Sequence, residues 1–195
     1  MSLEQKILAI HRSLDAAAVP HAFGGALALA WCTERARGTI DIDLNVFSGV
    51  DDAPRTLAAL PHGVSWSDDD VERLVRDGQV RLWWGATPVD LFMSTTEFHD
   101  EVGKRSRREP FGGADVPFLD CTDLAVFKAF FDRTRDWADL EDMTAAGTLD
   151  IDRTIGVLVR YLGTDDARIV RLRSLADVTP PAPDNPPEGS GRETS

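Results

Sequence analysis

The sequence of 195 residues has no long apolar run, only two cysteines, and fewer basic than acidic residues. No segment approaches the roughly 20 apolar residues that span a bilayer, and no basic stretch followed by an apolar one lies near the first residue. We therefore expect a cytoplasmic protein. A hydrophobic fraction of 43% is enough for a core, and the length predicts one domain with a helical extension.

The two cysteines, Cys32 and Cys121, lie in probable helices, without a Cys-x-x-Cys motif or a neighbouring histidine pair. This pattern argues against a zinc site and predicts two buried free thiols. The histidines show no ligand spacing and no paired acid, so none is assigned a catalytic role. They are His11, His21, His62 and His99.

Acidic residues outnumber basic ones by 33 to 21, and the formal net charge is −12. Such a chain is unsuited to holding long duplex DNA, because that binding depends on Lys and Arg neutralising phosphates. The densest basic segment, KRSRR at Lys104–Arg108, is either a solvated charged turn or a docking patch for RNA or an acidic partner.

Hydrophobic spacing and turn residues predict an α+β (α/β) chain that begins with a helix over Leu3–Ala18. Residues Arg108–Asp120 are expected to be irregular or a short hairpin. The elements expected between them are a strand at His21–Phe23, a Gly24-Gly25 turn, a helix at Ala26–Ala36, a strand at Thr39–Phe47, helices near Ala53–Leu60 and from Asp68, and strands at Gln79–Gly85 and Thr87–Met93.

Helix caps and glycine stops recur from Thr122 to the Ala176 region, where four helices are predicted, one of them capped by Asp150. From Val178 the chain is rich in Pro, Gly and Ser and almost free of apolar side chains, which predicts a disordered tail. The expected organisation is a core at 1–119, a helical region packed on it at 120–177, and a tail at 178–195.

Asp41 and Asp43 alternate with apolar residues in the predicted strand, so that Ile40, Ile42 and Leu44 are expected to face the core. Successive side chains of a strand point to opposite faces, so the two acids share a face, with Cα atoms roughly 6 to 7 Å apart. Two ionised carboxylates this close repel one another unless a metal or solvent compensates them. The pattern therefore indicates either a metal site or an edge strand with a solvated face.

Asp90 stands alone in the apolar strand TPVDLFM and is either a hydrogen-bonded structural residue or a third acid beside the first two. Three convergent carboxylates suit Mg²⁺, which prefers oxygen ligands and takes substrate phosphates as its remaining ligands. Two-metal phosphoryl or nucleotidyl transfer is the chemistry implied. Upstream, Gly24-Gly25 at a helix start is either a tight turn or a phosphate site built from backbone N–H groups.

Together, FGGALALAWCTERARGTIDIDLNVF and the later acid resemble the DNA polymerase β-like nucleotidyltransferase superfamily. Its pattern is a Gly-Gly or Gly-Ser turn opening a helix, Asp-x-Asp on the next strand, and a third acid on a later strand. The segment DLAVFKAFFDRTRDWADLEDM is similar to the AbiEii-type toxin branch, where a Lys precedes an (Arg/Lys)-Asp-x-x-Asp motif. The compact size is most similar to the MenT-type toxins of mycobacteria.

The resemblance implies a nucleotidyltransferase fold, in which a small mixed β-sheet is flanked by helices and followed by a C-terminal helical bundle. It also implies a toxin that moves a nucleotide, often a pyrimidine one, from an NTP to the 3′ end of tRNA and so blocks aminoacylation. The expected partners are NTP, the tRNA acceptor end and a cognate antitoxin, which in some relatives is a kinase. The same acids also suit a small-molecule nucleotidyltransferase of the aminoglycoside type, or a catalytically silent protein-binding scaffold.

By resemblance, Asp41, Asp43 and Asp90 are the ligands of two Mg²⁺ ions, and Asp90 helps to activate the attacking hydroxyl as ligand or base. Gly24 and Gly25 cradle the triphosphate. The Gly-Gly pair lacks the hydroxyl that Gly-Ser would offer the γ-phosphate, so phosphate binding must rest on backbone groups and basic side chains.

Lys128 would offset phosphate charge, with Arg135-Asp136 as the basic–acid pair of the motif and Asp139 as the second acid. Asp136 and Asp139 share a helix face and are expected to hold Lys128 or to contact the nucleotide. The alternative for all of them is an ordinary charged helix surface.

Arg35 and Arg37 precede the strand and either reach a phosphate or the RNA backbone, or are exposed loop charges. Thr39 is predicted to share a face with Asp41, where a phosphoryl group would bring roughly two negative charges beside the metal acids. The resemblance makes Thr39 a regulatory phosphorylation site; the alternative is a residue that simply favours a strand.

Overall fold

The computed structural model describes residues 1–36 and 38–176, so Arg37 and the predicted tail at 178–195 lie outside the described residues. The strands are β1 (His21–Phe23), β2 (Ile42–Gly49), β3 (Gln79–Trp84), β4 (Thr87–Ser94), β5 (Arg107–Phe111) and β6 (Ala114–Phe118). The helices are α1 (Leu3–Ala16), α2 (Gly25–Thr33), α3 (Ala53–Ala58), α4 (Asp68–Asp77), α5 (Glu97–Arg105), α6 (Cys121–Phe131), α7 (Thr134–Ala145), α8 (Ile151–Leu162) and α9 (Ala167–Ala176).

The strands form one six-stranded mixed sheet in the order β3-β4-β2-β1-β6-β5. Two hairpins, β3–β4 and β5–β6, supply its two ends. Between them β2 runs parallel to β4 and antiparallel to β1, and β1 pairs in parallel with β6. The predicted fold class, a mixed sheet flanked by helices and followed by helices, is confirmed.

The core is formed where the central strands pack against α2 and α6. Phe23, Leu44 and Leu91 have no exposed surface, and Trp137 brings the C-terminal helices into the same apolar cluster. Burial of such side chains is worth about 1.5 to 3 kcal/mol each. Within the described ranges, no helix has the length and apolar character needed to cross a bilayer.

Several expected boundaries differ from those observed. The first helix ends at Ala16, because Ala18 adopts a left-handed conformation with φ of 50°. The second predicted strand begins at Ile42 rather than Thr39, so Ile40 precedes the strand and is 78% exposed instead of facing the core. Helix α5 was not predicted, although its acidic first turn and basic last turn are typical of a helix.

The expectation of two free thiols is wrong, because Cys32 and Cys121 form a disulfide. Cys32 lies in the last turn of α2 and Cys121 is the first residue of α6, and the packing of these helices brings the two Cα atoms to 5.6 Å. That spacing is within the range a disulfide requires. The two cysteines are 89 residues apart in the sequence, so local patterns do not reveal that they are close in space.

Candidate active site

Asp43 and Asp90 lie directly opposite each other on the parallel strands β2 and β4. Neighbouring strands are about 4.8 Å apart, so the two carboxylates extend side by side from one face of the sheet. Arg81 is the register partner of Asp90 on β3 and places a guanidinium on the same face. The sheet thus brings together two of the three predicted acids and one basic residue that the sequence did not single out.

The Gly24-Gly25 turn lies against this acidic face. The Gly24 N–H donates to the backbone oxygen of Asp43 at 2.9 Å, which fixes the start of α2 beside β2. Gly25 has a φ of 54°, and a Cβ atom there would overlap the Asp43 carboxylate. Both requirements explain why this turn carries glycine, and they leave no room for the serine found in Gly-Ser versions of the motif.

The pKa of Asp43 is raised from 3.8 to about 6. Burial is the main cause, followed by the negative charges of Asp41 and Asp90, and Lys128 and Arg133 only partly offset them. A carboxylate held in this way is short of positive charge. A cation at Asp43 would therefore be favoured electrostatically.

The other two predicted ligands are engaged with groups of the chain itself. Asp90 accepts two hydrogen bonds from Arg81, each 2.6 Å long, and Asp41 accepts a hydrogen bond from the Thr39 hydroxyl. In the part of the chain that the structure describes, no three His, Cys, Asp or Glu side chains converge as a metal site would require. The carboxylate chemistry fits Mg²⁺, but Asp90 must release at least one oxygen from Arg81 before it can be a ligand.

Lys128 lies across the cavity from the sheet, on α6, with only 8% of its side chain exposed. Its ammonium group is 2.5 Å from an Asp139 oxygen and 3.7 Å from an Asp136 oxygen, and both acids are almost completely buried on α7. The structure therefore joins Lys128, Asp136 and Asp139 in one ionic cluster. Of the three, Lys128 and Asp136 line the cavity.

The basic partner of Asp136 in the structure is Arg133, and not Arg135, the basic residue that precedes Asp136 in the sequence motif. Arg133 donates to both Asp136 oxygens, at 2.5 and 3.1 Å, and its guanidinium lies 5.0 Å from the ring of Phe131. Residues three apart on a helix face each other, whereas adjacent residues do not. Arg135 is accordingly exposed, while Arg133 lines the cavity.

A cavity of about 780 Å³ lies between the sheet and α6. One end holds the charged groups described above and the start of α2. The rest is largely aromatic, and two of its rings, Phe130 and Phe131, are 47% and 41% exposed. A charged end beside an aromatic end suits a ligand with a polyanionic part and a flat ring.

Most of the basic residues that were considered for docking RNA or an acidic partner are bonded to other groups of the chain. In the segment Lys104–Arg108, three basic residues form ion pairs with acids and Arg108 donates to a backbone oxygen; the acids are Glu101, Asp123 and Glu109. Lys104 and Arg105 end α5 and Arg107 and Arg108 begin β5, so the segment is not a turn, and its role as a docking patch stays a prediction. Arg35 is exposed and does not line the cavity, and Arg37 lies outside the described residues.

Sequence reasoning missed three cavity residues: Arg81, Arg133 and Asn45. Arg81 could have been found from the hairpin, since pairing β3 with β4 places it opposite Asp90. Arg133 could have been found from its three-residue spacing to Asp136. Asn45 follows Asp43 by two residues and therefore shares its strand face.

Comparison with known proteins shows the fold. No family model matches the chain, and no curated protein matches it in sequence. Among solved structures, the crystal structure of ANT(2")-Ia in complex with adenylyl-2"-tobramycin is 16% identical, with a TM-score of 0.54, covering 88% of this chain and 95% of that one. The solution structure of the same antibiotic-resistance factor is 15% identical, with a TM-score of 0.52, covering 89% and 90%. The chain therefore has the nucleotidyltransferase fold.

Proposed function

We propose that this protein transfers a nucleotidyl group from an NTP to an acceptor hydroxyl. The observation that carries the proposal is the placement of Asp43 opposite Asp90, with the glycine turn of α2 against Asp43. The acceptor oxygen forms a bond to the α-phosphorus, the bond to the β-phosphate bridging oxygen breaks, and pyrophosphate leaves with that electron pair. The hydroxyl proton passes to a base, for which Asp90 is the candidate.

Asp41, Asp43 and Asp90 would hold Mg²⁺ in this reaction. The bound metal supplies positive charge to the phosphate oxygens and lowers the pKa of a hydroxyl beside it. Arg81 would then be free to turn from Asp90 toward the phosphates or the acceptor. The raised pKa of Asp43 supports a cation here, because a cation stabilises the charged carboxylate against both its burial and the repulsion from Asp41 and Asp90.

The chain also supplies cations of its own to the phosphates. The ammonium of Lys128 faces the cavity while Asp136 and Asp139 fix its position, and Arg133 lies at the same end with 57% of its side chain exposed. The start of α2 adds backbone N–H donors. These groups bind and orient the triphosphate so that its α-phosphorus lies near Asp43 and Asp90.

For the acceptor, we propose the 3′ end of tRNA, and with it the role of a toxin restrained by a cognate antitoxin. The exposed rings of Phe130 and Phe131 at the cavity support a single-stranded acceptor, since aromatic side chains stack on unpaired bases. The hydrogen bond between Thr39 and Asp41 supports Thr39 as a switch: phosphorylation there would place a dianion on a metal acid.

A second candidate acceptor is a small cationic molecule such as an aminoglycoside. The net charge of −12 favours a polycation over a polyanion, and the similar ANT(2")-Ia was solved with adenylyl-2"-tobramycin. This candidate keeps the same three acids and changes only what enters the aromatic end. A catalytically silent scaffold, the remaining alternative, predicts no transfer at all.

One labelling experiment separates these functions. Each α-³²P-labelled NTP is incubated with Mg²⁺ and the protein, in parallel with total tRNA and with tobramycin, and Asp43→Asn serves as the inactive control. Label on tRNA, located by sequencing the 3′ ends, supports the proposed acceptor. Label on tobramycin with tRNA unlabelled overturns the tRNA proposal, and no label on any hydroxyl acceptor supports the scaffold.

A further inference from the structure

Asn45 is a buried amide for which the described part of the fold provides no partner. It is 6% exposed, and no hydrogen bond joins its side chain to another group within residues 1–36 and 38–176. Its side chain lines the cavity, so a hydrogen-bond partner for the amide is supplied from the cavity, by water or by a ligand.

The amide lies against the first residues of α2. Its Nδ2 atom is 2.8 Å from the point where a Gly24 Cβ would be, so the absence of that Cβ makes room for the amide. The neighbouring Gly25 makes the same kind of room for Asp43. The two glycines therefore allow two β2 side chains, Asp43 and Asn45, to reach beneath the helix start.

The start of α2 also presents donors. The N-cap residue Gly24 has no side chain, so it provides no capping acceptor for the first N–H groups of the helix. Such N–H groups, together with the helix dipole, favour an anion. An oxygen placed there is within reach of the Asn45 Nδ2 atom.

We infer that the Asn45 side chain binds the phosphate chain of the NTP, donating from Nδ2 to a phosphate oxygen held at the start of α2. Asn45 thereby replaces the hydroxyl donor of Gly-Ser turns, which the crowding at Gly25 rules out here. The inference rests on the proposed nucleotidyl transfer, and it corrects the expectation that only backbone groups and basic side chains hold the phosphates.

The test measures binding of two ligands, inorganic tripolyphosphate and CTP, in the presence of Mg²⁺ by calorimetry. Asn45→Ala is expected to weaken both by roughly tenfold, the loss of one charge-assisted hydrogen bond. Asn45→Asp, which keeps the shape but replaces the donor with a negative charge, is expected to weaken both at least as much. Gln79→Ala is the matched control, because this amide faces the cavity from β3, two strands away, and both affinities should stay within about twofold.

The outcomes distinguish a failure of the proposed function from a failure of the inference about Asn45. If the unmodified protein binds neither ligand, the proposed function fails and the inference fails with it. If it binds both and the folded Asn45 variants bind equally well, only the inference fails. A loss for CTP without a loss for tripolyphosphate overturns the assignment to phosphate, and a melting curve for each variant confirms that folded protein is compared.

Discussion

Two groups of aspartates face each other across the cavity and differ in what neutralises them. On α7, Asp136 and Asp139 are 1% exposed, and the chain provides cations for them in Lys128 and Arg133. On the sheet, the pKa of Asp43 is raised first by burial and then by the negative charges of Asp41 and Asp90, which Lys128 and Arg133 only partly offset. Burial alone therefore does not distinguish a structural aspartate from a functional one.

The difference indicates that the α7 aspartates stabilise the fold, whereas the aspartates on the sheet are suited to bind a metal ion. An aspartate paired with a cation of its own chain is part of the fold, because removing either partner leaves a buried charge. An aspartate surrounded by other carboxylates is stabilised by a cation from outside, which here would be Mg²⁺ with the substrate. Asp90 is intermediate, since Arg81 neutralises it until another cation replaces Arg81.

The largest expected effect is on the α7 side. Lys128→Ala leaves Asp136 and Asp139 without their shared ammonium and should lower the free energy of unfolding by about 3 to 5 kcal/mol. Urea denaturation measures this, with Lys104→Ala as the control, because its solvent-exposed pair with Glu101 contributes little to stability. Equal losses in the two variants would contradict the structural role of Lys128.

The next effect concerns Asp43 on the sheet and the pH dependence of the free energy of unfolding. The Asp43 pKa of about 6 in the folded protein exceeds its ordinary 3.8, so the unfolded chain gives up this proton first. Stability without metal should therefore fall as pH rises from about 4 to 6 and stay low above that, by roughly 3 kcal/mol in total.

Asp43→Asn should lack this fall, and the difference between the two urea-denaturation profiles at pH 4, 5, 6 and 7 isolates the contribution of Asp43. At pH 7, Mg²⁺ should stabilise the unmodified protein more than the variant. Identical pH profiles would show that Asp43 is not short of positive charge.

A smaller effect tests whether Arg81 competes with a metal ion for Asp90. Arg81→Ala removes the cation that competes for Asp90 and should raise the affinity for Mn²⁺, measured by electron paramagnetic resonance without NTP, by about tenfold. Arg76→Ala is the matched control, because Arg76 also binds an aspartate with two hydrogen bonds, but at Asp77. Weaker Mn²⁺ binding after Arg81→Ala would instead make Arg81 necessary for positioning Asp90.

The smallest effect separates two neighbouring arginines. Arg133→Ala should raise the KM for NTP by about fivefold, since it removes a cavity cation and loosens Asp136. Arg135→Ala should change KM by less than about twofold, because the exposed Arg135 lies outside the cavity lining. A larger effect at Arg135 than at Arg133 would instead support Arg135 as the functional basic residue of the motif.

Much of the site follows from local sequence, because its spacing rules act over a few residues. Asp41 and Asp43 are two residues apart at the start of β2, and Gly24 and Gly25 form the start of α2. Lys128 lies on a helix, as its sequence segment predicts. The exposure of Ile40 was missed because the strand begins two residues later, and strand starts depend on pairing with other strands.

By itself, the sequence determined the acids, the glycine turn and most of the order of helices and strands, with α5 as the exception, since periodicity and capping are local properties. Only the tertiary structure decided that Arg81 holds Asp90, that Cys32 bonds to Cys121, and that Asn45 lies beneath the start of α2. Each of these depends on strand register or helix packing, which join segments far apart in the chain. The same packing placed one set of aspartates beside cations and left Asp43 among carboxylates.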